Sequence, residues 1–322
     1  MSAPWITYRE NLKVLDCTIR DGGLINNHMF DDGLVKAVYD TCIEAGVDYM
    51  ELGYKASKQL FAPSKFGDWK FCDEDDMRRI VGENDTNLKL TAMADAEKTD
   101  YREDILPARD SVLDVIRVAT YVHQIPIAVD MIKDAHDKGY ETTCNLMAVS
   151  IVQENEIQQA LEVLRDTPVG TVVVVDSFGA LYSEQVQRLV VQYRKALEGT
   201  GKEVGIHAHN NQQLAFANTI EAIIHGANRI DATVMGMGRG AGNCPMELLI
   251  GFLRNPAYHI RPVLKLLQDY FIDLRQKHEW GALAPYNITG QLNQHPRSAI
   301  GMLEGDEKHD YLGFYDKLVA DL

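Results

Sequence analysis

Eight short segments rich in apolar and β-branched residues set the limits on how this chain can fold. They fall at 14–18, 47–53, 88–94, 112–119, 142–149, 171–176, 204–209 and 229–235, with starts 24 to 41 residues apart. That spacing is the length of a strand plus a returning helix. Their apolar positions are mostly consecutive, as a parallel strand covered on both faces requires. The stretches between them read as amphipathic helices. Over 125–136, Ile127, Ala128, Met131, Ile132 and Ala135 share one face, and over 157–164 so do Ile157, Ala160, Leu161 and Leu164. Gly46, Gly139 and Gly226 stand where helices should stop. Eight βα units close most simply as a (β/α)8 TIM barrel, an α/β fold spanning residues 1–255. The alternative, an open doubly wound sheet, would hold more strands than is usual and would lack the glycine fingerprint of a dinucleotide-binding unit.

After Asn255-Pro256 the pattern changes. A helix is predicted over 261–277, with Val263, Leu264, Leu267, Phe271 and Leu274 as its apolar face, and a turn-rich aromatic stretch runs from Trp280 to Tyr286. Residues 256–322 therefore read as a helical C-terminal extension that covers the barrel or meets another subunit, with a homodimer as the simplest assembly. The net charge of −15 argues against a nucleic-acid footprint or an anionic membrane surface, and leaves room only for a local basic pocket. Apolar runs are strand-sized, too short to span a bilayer, and the first residues lack a signal-peptide core. Cys17, Cys42, Cys72, Cys144 and Cys244 form no CxxC pair, so reduced thiols and a cytoplasmic location are expected.

Polar residues gather at the C-terminal ends of the strand candidates, the rim where barrel active sites are built. Arg20 and Asp21, Glu51, Asp95, Asp176, and His207 with His209 all fall there. In His207-x-His209 both imidazoles point to one side of a strand. With Asp21 they make a two-histidine, one-carboxylate set that leaves coordination positions open, and Mg, Mn, Fe and Zn all suit it. Arg20 adds a planar cation able to hold a carboxylate or an enolate oxygen. Such a constellation polarises a carbonyl and makes or breaks a carbon–carbon bond. Arg117, Asp176 and Ser177 are placed for substrate contact. Asn243, in the glycine-rich loop 236–245, is either a further oxygen ligand or the cap of a helix starting near Pro245. Asp16 is given a structural role, bonded to Thr18 or to the rim.

Five motifs recur in order over residues 12–255: Asp16-Cys17-Thr18-Ile19-Arg20-Asp21-Gly22, Ile116-Arg117-Val118-Ala119-Thr120, Asp176-Ser177-Phe178-Gly179, His207-Ala208-His209-Asn210-Asn211 and Gly240-Ala241-Gly242-Asn243-Cys244-Pro245-Met246-Glu247. Together they resemble the metal-dependent aldolases and Claisen-type lyases built on TIM barrels, above all the 4-hydroxy-2-oxovalerate aldolases. The resemblance implies that Asp21, His207 and His209 hold a divalent ion, Mn or Mg, and that Arg20 steadies a pyruvate enolate. It implies a divalent-metal-dependent aldolase that cleaves or forms a 4-hydroxy-2-oxo acid through a metal-bound pyruvate enolate, with a 2-oxo acid as substrate and an aldehyde dehydrogenase as a partner.

The aldolase family carries its catalytic histidine three residues after the metal aspartate, where this chain has Leu24. His28, four residues further on, and Tyr286, which resembles an active-site tyrosine of the family's C-terminal region, are the catalytic candidates beside Arg20. The metal set also fits an acyl-CoA-dependent synthase of the isopropylmalate or homocitrate kind. Leu24 also fits a partner-dependent, non-catalytic subunit. Hydroxymethylglutaryl-CoA lyase fits less well, because its catalytic cysteine precedes the loop asparagine, whereas Cys244 follows Asn243.

Overall fold

A computed structural model describes residues 11–320. The strands β1 (Lys13–Asp16), β2 (Tyr49–Tyr54), β3 (Lys89–Asp95), β4 (Val115–Thr120), β5 (Glu141–Leu146), β6 (Thr171–Asp176), β7 (Glu203–Ala208) and β8 (Arg229–Ala232) close into one parallel barrel in sequence order. β8 seals it against β1, pairing Leu15 with Asp231 and Asp16 with Ala232. Helices α1 (Thr18–Gly22), α2 (Asp32–Ala45), α3 (Glu74–Val81), α4 (Ile125–Asp137), α5 (Glu154–Arg165), α6 (Ser183–Ala196), α7 (Ala215–Ile224) and α8 (Met246–Leu253) lie along the chain between and after the strands. The expected (β/α)8 barrel is thus the fold, and each of the eight strand segments contributes to it. The crossover from β3 to β4 departs from the pattern, having only a single 3-10 turn, Ala108–Asp110.

The first strand is shorter than its apolar run. It ends at Asp16 and the chain turns at once into α1, so Arg20 and Asp21 sit on a helical turn, not on a strand end. The cause is local. The Asp16 carboxylate accepts from Thr18 N (3.1 Å) and Thr18 Oγ1 (2.6 Å), offering the backbone an alternative to the sheet ladder. Asp16 is fully buried, and burial, with Glu51 adding to it against the two Thr18 bonds, pushes its carboxyl up to about 7. An acid raised in the folded state costs stability as pH climbs from the unfolded carboxyl value, about 4, toward that raised value. Asp16→Asn is therefore expected to gain on the natural protein between pH 5 and pH 8, as read by urea midpoints. An unchanged difference across that interval would show that Asp16 does not titrate there.

The main apolar core lies between the strands and the surrounding helices. Inside the barrel the filling is layered. Leu15, Cys17, Tyr49 and Val115 form an apolar floor. Two residues further along β2 and β4 come Glu51 and Arg117, which join Asp231 of β8 in a buried ionic layer. A register shift between Glu51 and Gly53 breaks the alternation of β2. It turns Tyr54, three residues after Glu51, onto the cavity side. Gly53 is required there because a Cβ would lie 1.9 Å from Trp69 O.

Beyond the barrel, α9 (Ile260–Leu266), a π-turn over Leu267–Phe271 and α10 (Ile272–Lys277) replace the single helix expected over 261–277. The wider turn changes which residues face inward. Val263, Leu266 and Phe271 are buried, while Leu264, assigned to the apolar face, is 48% exposed. Helices α11 (Ala284–Gln291), α12 (Arg297–Glu304) and α13 (Tyr311–Ala320) follow. Asn287 Nδ2 donates to Asn211 O (2.5 Å) and Asn293 Nδ2 to Ser150 O (2.9 Å), which fastens this region over the loops after β7 and β5. Trp280 is buried beneath it and donates from Nε1 to Met235 O (3.1 Å). Among the described residues no helix is long and apolar enough to cross a membrane, and all five cysteines are buried free thiols.

Candidate metal centre and active-site cavity

A cavity of about 370 Å³ opens at the C-terminal ends of the strands, at the small end of the usual range for ligand sites. Asp21, His207 and His209 meet on its wall, with one ligand atom from each lying within 4.8 Å of the others. His207 Nε2 stands 3.5 Å from Asp21 Oδ2, and the two imidazoles meet edge to face at 5.0 Å. β7 delivers His207, and His209 follows one residue past its end. Gly238 lets the loop after β8 close over the site, since a Cβ there would lie 2.5 Å from Asp21 Oδ1 and 2.1 Å from Asn243 Nδ2. Asn243 lies beside Asp21 across that glycine but does not line the cavity, and its Nδ2 donates to Met237 O (3.2 Å). The N-cap of α8 is Pro245, without a side-chain cap bond, so the capping alternative for Asn243 falls.

The donor set fits a divalent cation. His207 Nδ1 is 3.0 Å from Asp231 Oδ2, which leaves Nε2 as the outward nitrogen, and that atom is buried with no hydrogen-bond partner. Asn243 Oδ1 is likewise buried and unpartnered. A carboxylate holding the far nitrogen of a histidine is the usual support for a ligating imidazole. Burial opposes ionisation of Asp21, but Arg20, His209 and His207 outweigh it and hold its carboxyl well below the usual range. Burial drives His209 far down, to a neutral imidazole. For His207, burial is overcome by the nearby carboxylates of Asp21 and Asp231, and its pKa rises. A second grouping, Cys17 with His207 and Asp231, shares one imidazole with the first. There burial holds Cys17 as a thiol, and Asp231 is already taken by Arg117.

An ionic chain beneath the cavity fixes the site. Arg20 donates from Nε to Glu51 Oε2 (2.7 Å) and from Nη1 to Asp21 Oδ2. Arg117 donates from Nη1 to the same Glu51 oxygen (2.8 Å) and from Nη2 to Asp231 Oδ2 (2.5 Å). Arg20 Nη2 is left buried without a partner on a side chain that lines the cavity. Arg117, expected to face substrate, is not among the lining residues and instead spans Glu51 and Asp231 below them.

The other expected site residues divide. Ser177 lines the cavity and accepts from Ala148 N at Oγ (2.9 Å). Asp176 does not line it. Its carboxylate accepts from Ala180 N (3.0 Å) and Leu181 N (3.2 Å), anchoring the loop after β6. His28 is buried behind the wall against Tyr54, with ring centroids 5.3 Å apart. Burial, with Lys70 and Arg20 nearby, pushes it down to about 3. Gly23 makes room for it, since a Cβ would lie 2.0 Å from His28 Nδ1. Tyr286 packs with Ala241 and Ala299, outside the lining, and Leu24 lines the cavity. The sequence reading missed Tyr54, Lys70, Lys98, Asn145, Arg239, His295 and Arg297, all of which line the cavity. Asn145 and Arg239 could have been found from their places near the ends of β5 and β8. His295 and Arg297 carry no such signal.

A parallel barrel whose C-terminal rim carries two histidines, an aspartate and an adjacent guanidinium defines a class of metal-capable TIM-barrel proteins. Within it, the chain belongs to the HMGL-like family, which matches residues 11–268. The oxaloacetate decarboxylase of Mycobacterium tuberculosis is 32% identical over 253 residues, spanning 77% of this chain and 71% of that protein. A 4-hydroxy-2-oxovalerate aldolase of Rhodococcus opacus is 30% identical over 255 residues, 78% of this chain and 71% of its own length. Among solved structures, the N-terminal domain of a proposed aldolase from Bacteroides vulgatus superposes with a TM-score of 0.83 at 28% identity, covering 97% of this chain and 100% of that one.

Proposed function

We propose that this chain is a divalent-metal-dependent lyase that cleaves or forms the C3–C4 bond of 4-hydroxy-2-oxo acids, with pyruvate as the shared product. The observation that carries the reading is Arg20 Nη2, a buried donor without a partner beside the Asp21, His207 and His209 cluster. Those three residues would hold the ion, with Asn243 next to them. A bound Mn or Mg supplies Lewis acidity toward the oxygens of a 2-oxo acid. Arg20 donates from Nη2 to the oxygen on which charge develops, and Glu51 and Asp21 fix its orientation. The proton acceptor for the 4-hydroxyl is assigned to Lys70, which shares an apolar patch with Leu24. Its Nζ stands 4.4 Å from the Tyr54 ring centre and 4.3 Å from that of Phe61, two rings of the apolar cluster that Leu24 packs against. Burial lowers its pKa, bringing the amine nearer the range useful for acid–base work. As the neutral amine of Lys70 takes the hydroxyl proton and becomes an ammonium, the C3–C4 bond breaks, an aldehyde leaves, and the electron pair becomes a pyruvate enolate. A proton returned to C3 completes pyruvate.

Decarboxylation of oxaloacetate is a second reading, favoured by the oxaloacetate decarboxylase among the relatives and by Leu24. Loss of CO2 breaks the corresponding bond to the same enolate and needs no base for a hydroxyl proton. Pyruvate release with Mn from oxaloacetate and from a panel of 4-hydroxy-2-oxo acids tests both. Aldol turnover is expected to fall by about 10²–10⁴-fold in Lys70→Met. Turnover of oxaloacetate alone, insensitive to Lys70→Met, would select the decarboxylase. A protein that binds Mn yet releases pyruvate from nothing offered would sink both.

A further inference from the structure

We infer that the cavity holds a second anion subsite, formed by Arg239, Arg297 and Lys98, and that the substrate is a 2-oxo acid bearing a further carboxylate or phosphate group at its distal end. The inference rests on the reading above that a 2-oxo acid occupies the end of the cavity beside Asp21 and Arg20. Five cationic side chains line the cavity (Arg20, Lys70, Lys98, Arg239 and Arg297) against two carboxylates, Asp21 and Asp95. In a chain of net charge −15 this excess is local. Arg20 is neutralised by Asp21 and Glu51, and Lys98 is shared with Asp95 at 3.2 Å. Arg239 and Arg297 have no carboxylate partner among the described residues. Arg239 donates from Nη2 to Ser177 O (2.8 Å), a neutral acceptor, its Nη1 lies 3.4 Å from His295 Nε2, and its Nε is buried without a partner. Burial pushes His295 down to about 4, and Arg239, Arg297 and Lys98 act on it in the same direction, so the three cations converge on one neutral imidazole. A monoanionic 2-oxo acid would be satisfied at the Arg20 end and would leave this cluster uncompensated. Arg297 and His295 come from the C-terminal extension, which thereby completes the subsite.

The test compares 2-oxoglutarate with 2-oxopentanoate by calorimetry in the presence of Mn. The two have the same chain length, neither has a 4-hydroxyl, and they differ in the distal charge. The dianion should bind about 10–100-fold tighter in the natural protein. Arg297 is exposed at the rim, so its replacement leaves packing intact. Arg297→Gln should cut that ratio about tenfold, and Arg297→Lys should restore most of it. 2-Oxo-4-phosphonobutanoate separates the two anion sources. Tighter binding than 2-oxoglutarate assigns a phosphate-bearing substrate, and weaker binding a dicarboxylic one. Equal affinities for the charged and uncharged acids, or a ratio untouched by Arg297→Gln, overturn the subsite. Binding is read without turnover, so a failure to release pyruvate would overturn the lyase reading and leave this one standing.

Discussion

Asp21→Asn is expected to remove most of the protein's Mn affinity and to lower turnover by about 10³-fold, the rate equivalent of losing several kcal/mol of Lewis-acid stabilisation. The asparagine keeps the volume, and its oxygen can still accept from Arg239 N, which stands 3.0 Å from Asp21 Oδ1. It loses the charge that His207, His209 and Arg20 all face. The fold should survive, because Arg20 retains Glu51 at 2.7 Å. Calorimetric titration with Mn and a pyruvate assay read the two effects separately. Unchanged Mn affinity would move the ion away from this wall, to the grouping of Cys17, His207 and Asp231. Retained affinity with lost turnover would make Asp21 a partner of Arg20 alone.

The barrel was legible because burial on both faces leaves a plain mark, runs of consecutive apolar residues at a regular interval. What that mark cannot give is where polar side chains interrupt the regularity. Asp16 stopped β1 by bonding Thr18, and the Glu51–Gly53 shift turned Tyr54 toward the cavity. Both events depend on a side-chain bond or a register change that an apolar run conceals. The cluster of Asp21, His207 and His209 was legible for a related reason. His207 and His209 keep the two-residue period of a strand, and Asp21 follows the first strand closely. Glu51 was noted only as a rim acid and Asp231 not at all, since a single acid in an apolar strand gains meaning only once closure brings four strands together. Arg117 was placed at the substrate for the same reason. Nothing in its sequence neighbourhood shows that Glu51 and Asp231 would occupy it from β2 and β8. His295 and Arg297 depend on where the C-terminal extension folds back, which is a tertiary fact throughout.

Asp231→Ala should destabilise the protein by about 3–5 kcal/mol, a large share of the roughly 5–15 kcal/mol typical of a folded domain. Asp231 Oδ2 receives both Arg117 Nη2 and His207 Nδ1, and all three side chains are at most 3% exposed. Without it Arg117 keeps only Glu51, whose same oxygen already accepts from Arg20, so a buried guanidinium is left with half its compensation. Asp231→Asn retains the volume and separates stability from function. It leaves His207 less firmly oriented, and Mn affinity should fall about 10–100-fold. Acid pH supplies a further check. Burial alone would raise the Asp231 carboxyl, but Arg117 and then His207 outweigh it and hold it near 2. A depressed folded value contributes stability above the unfolded carboxyl value, about 3.9, and loses it as pH falls toward 2. The stability gap between the natural protein and Asp231→Asn, measured by urea unfolding, should therefore be full at pH 7 and narrow below pH 4. A gap that stays constant down to pH 3 would mean that Asp231 is not held as a carboxylate by Arg117, and the ionic layer would have to be redrawn with Glu51 as its sole anion.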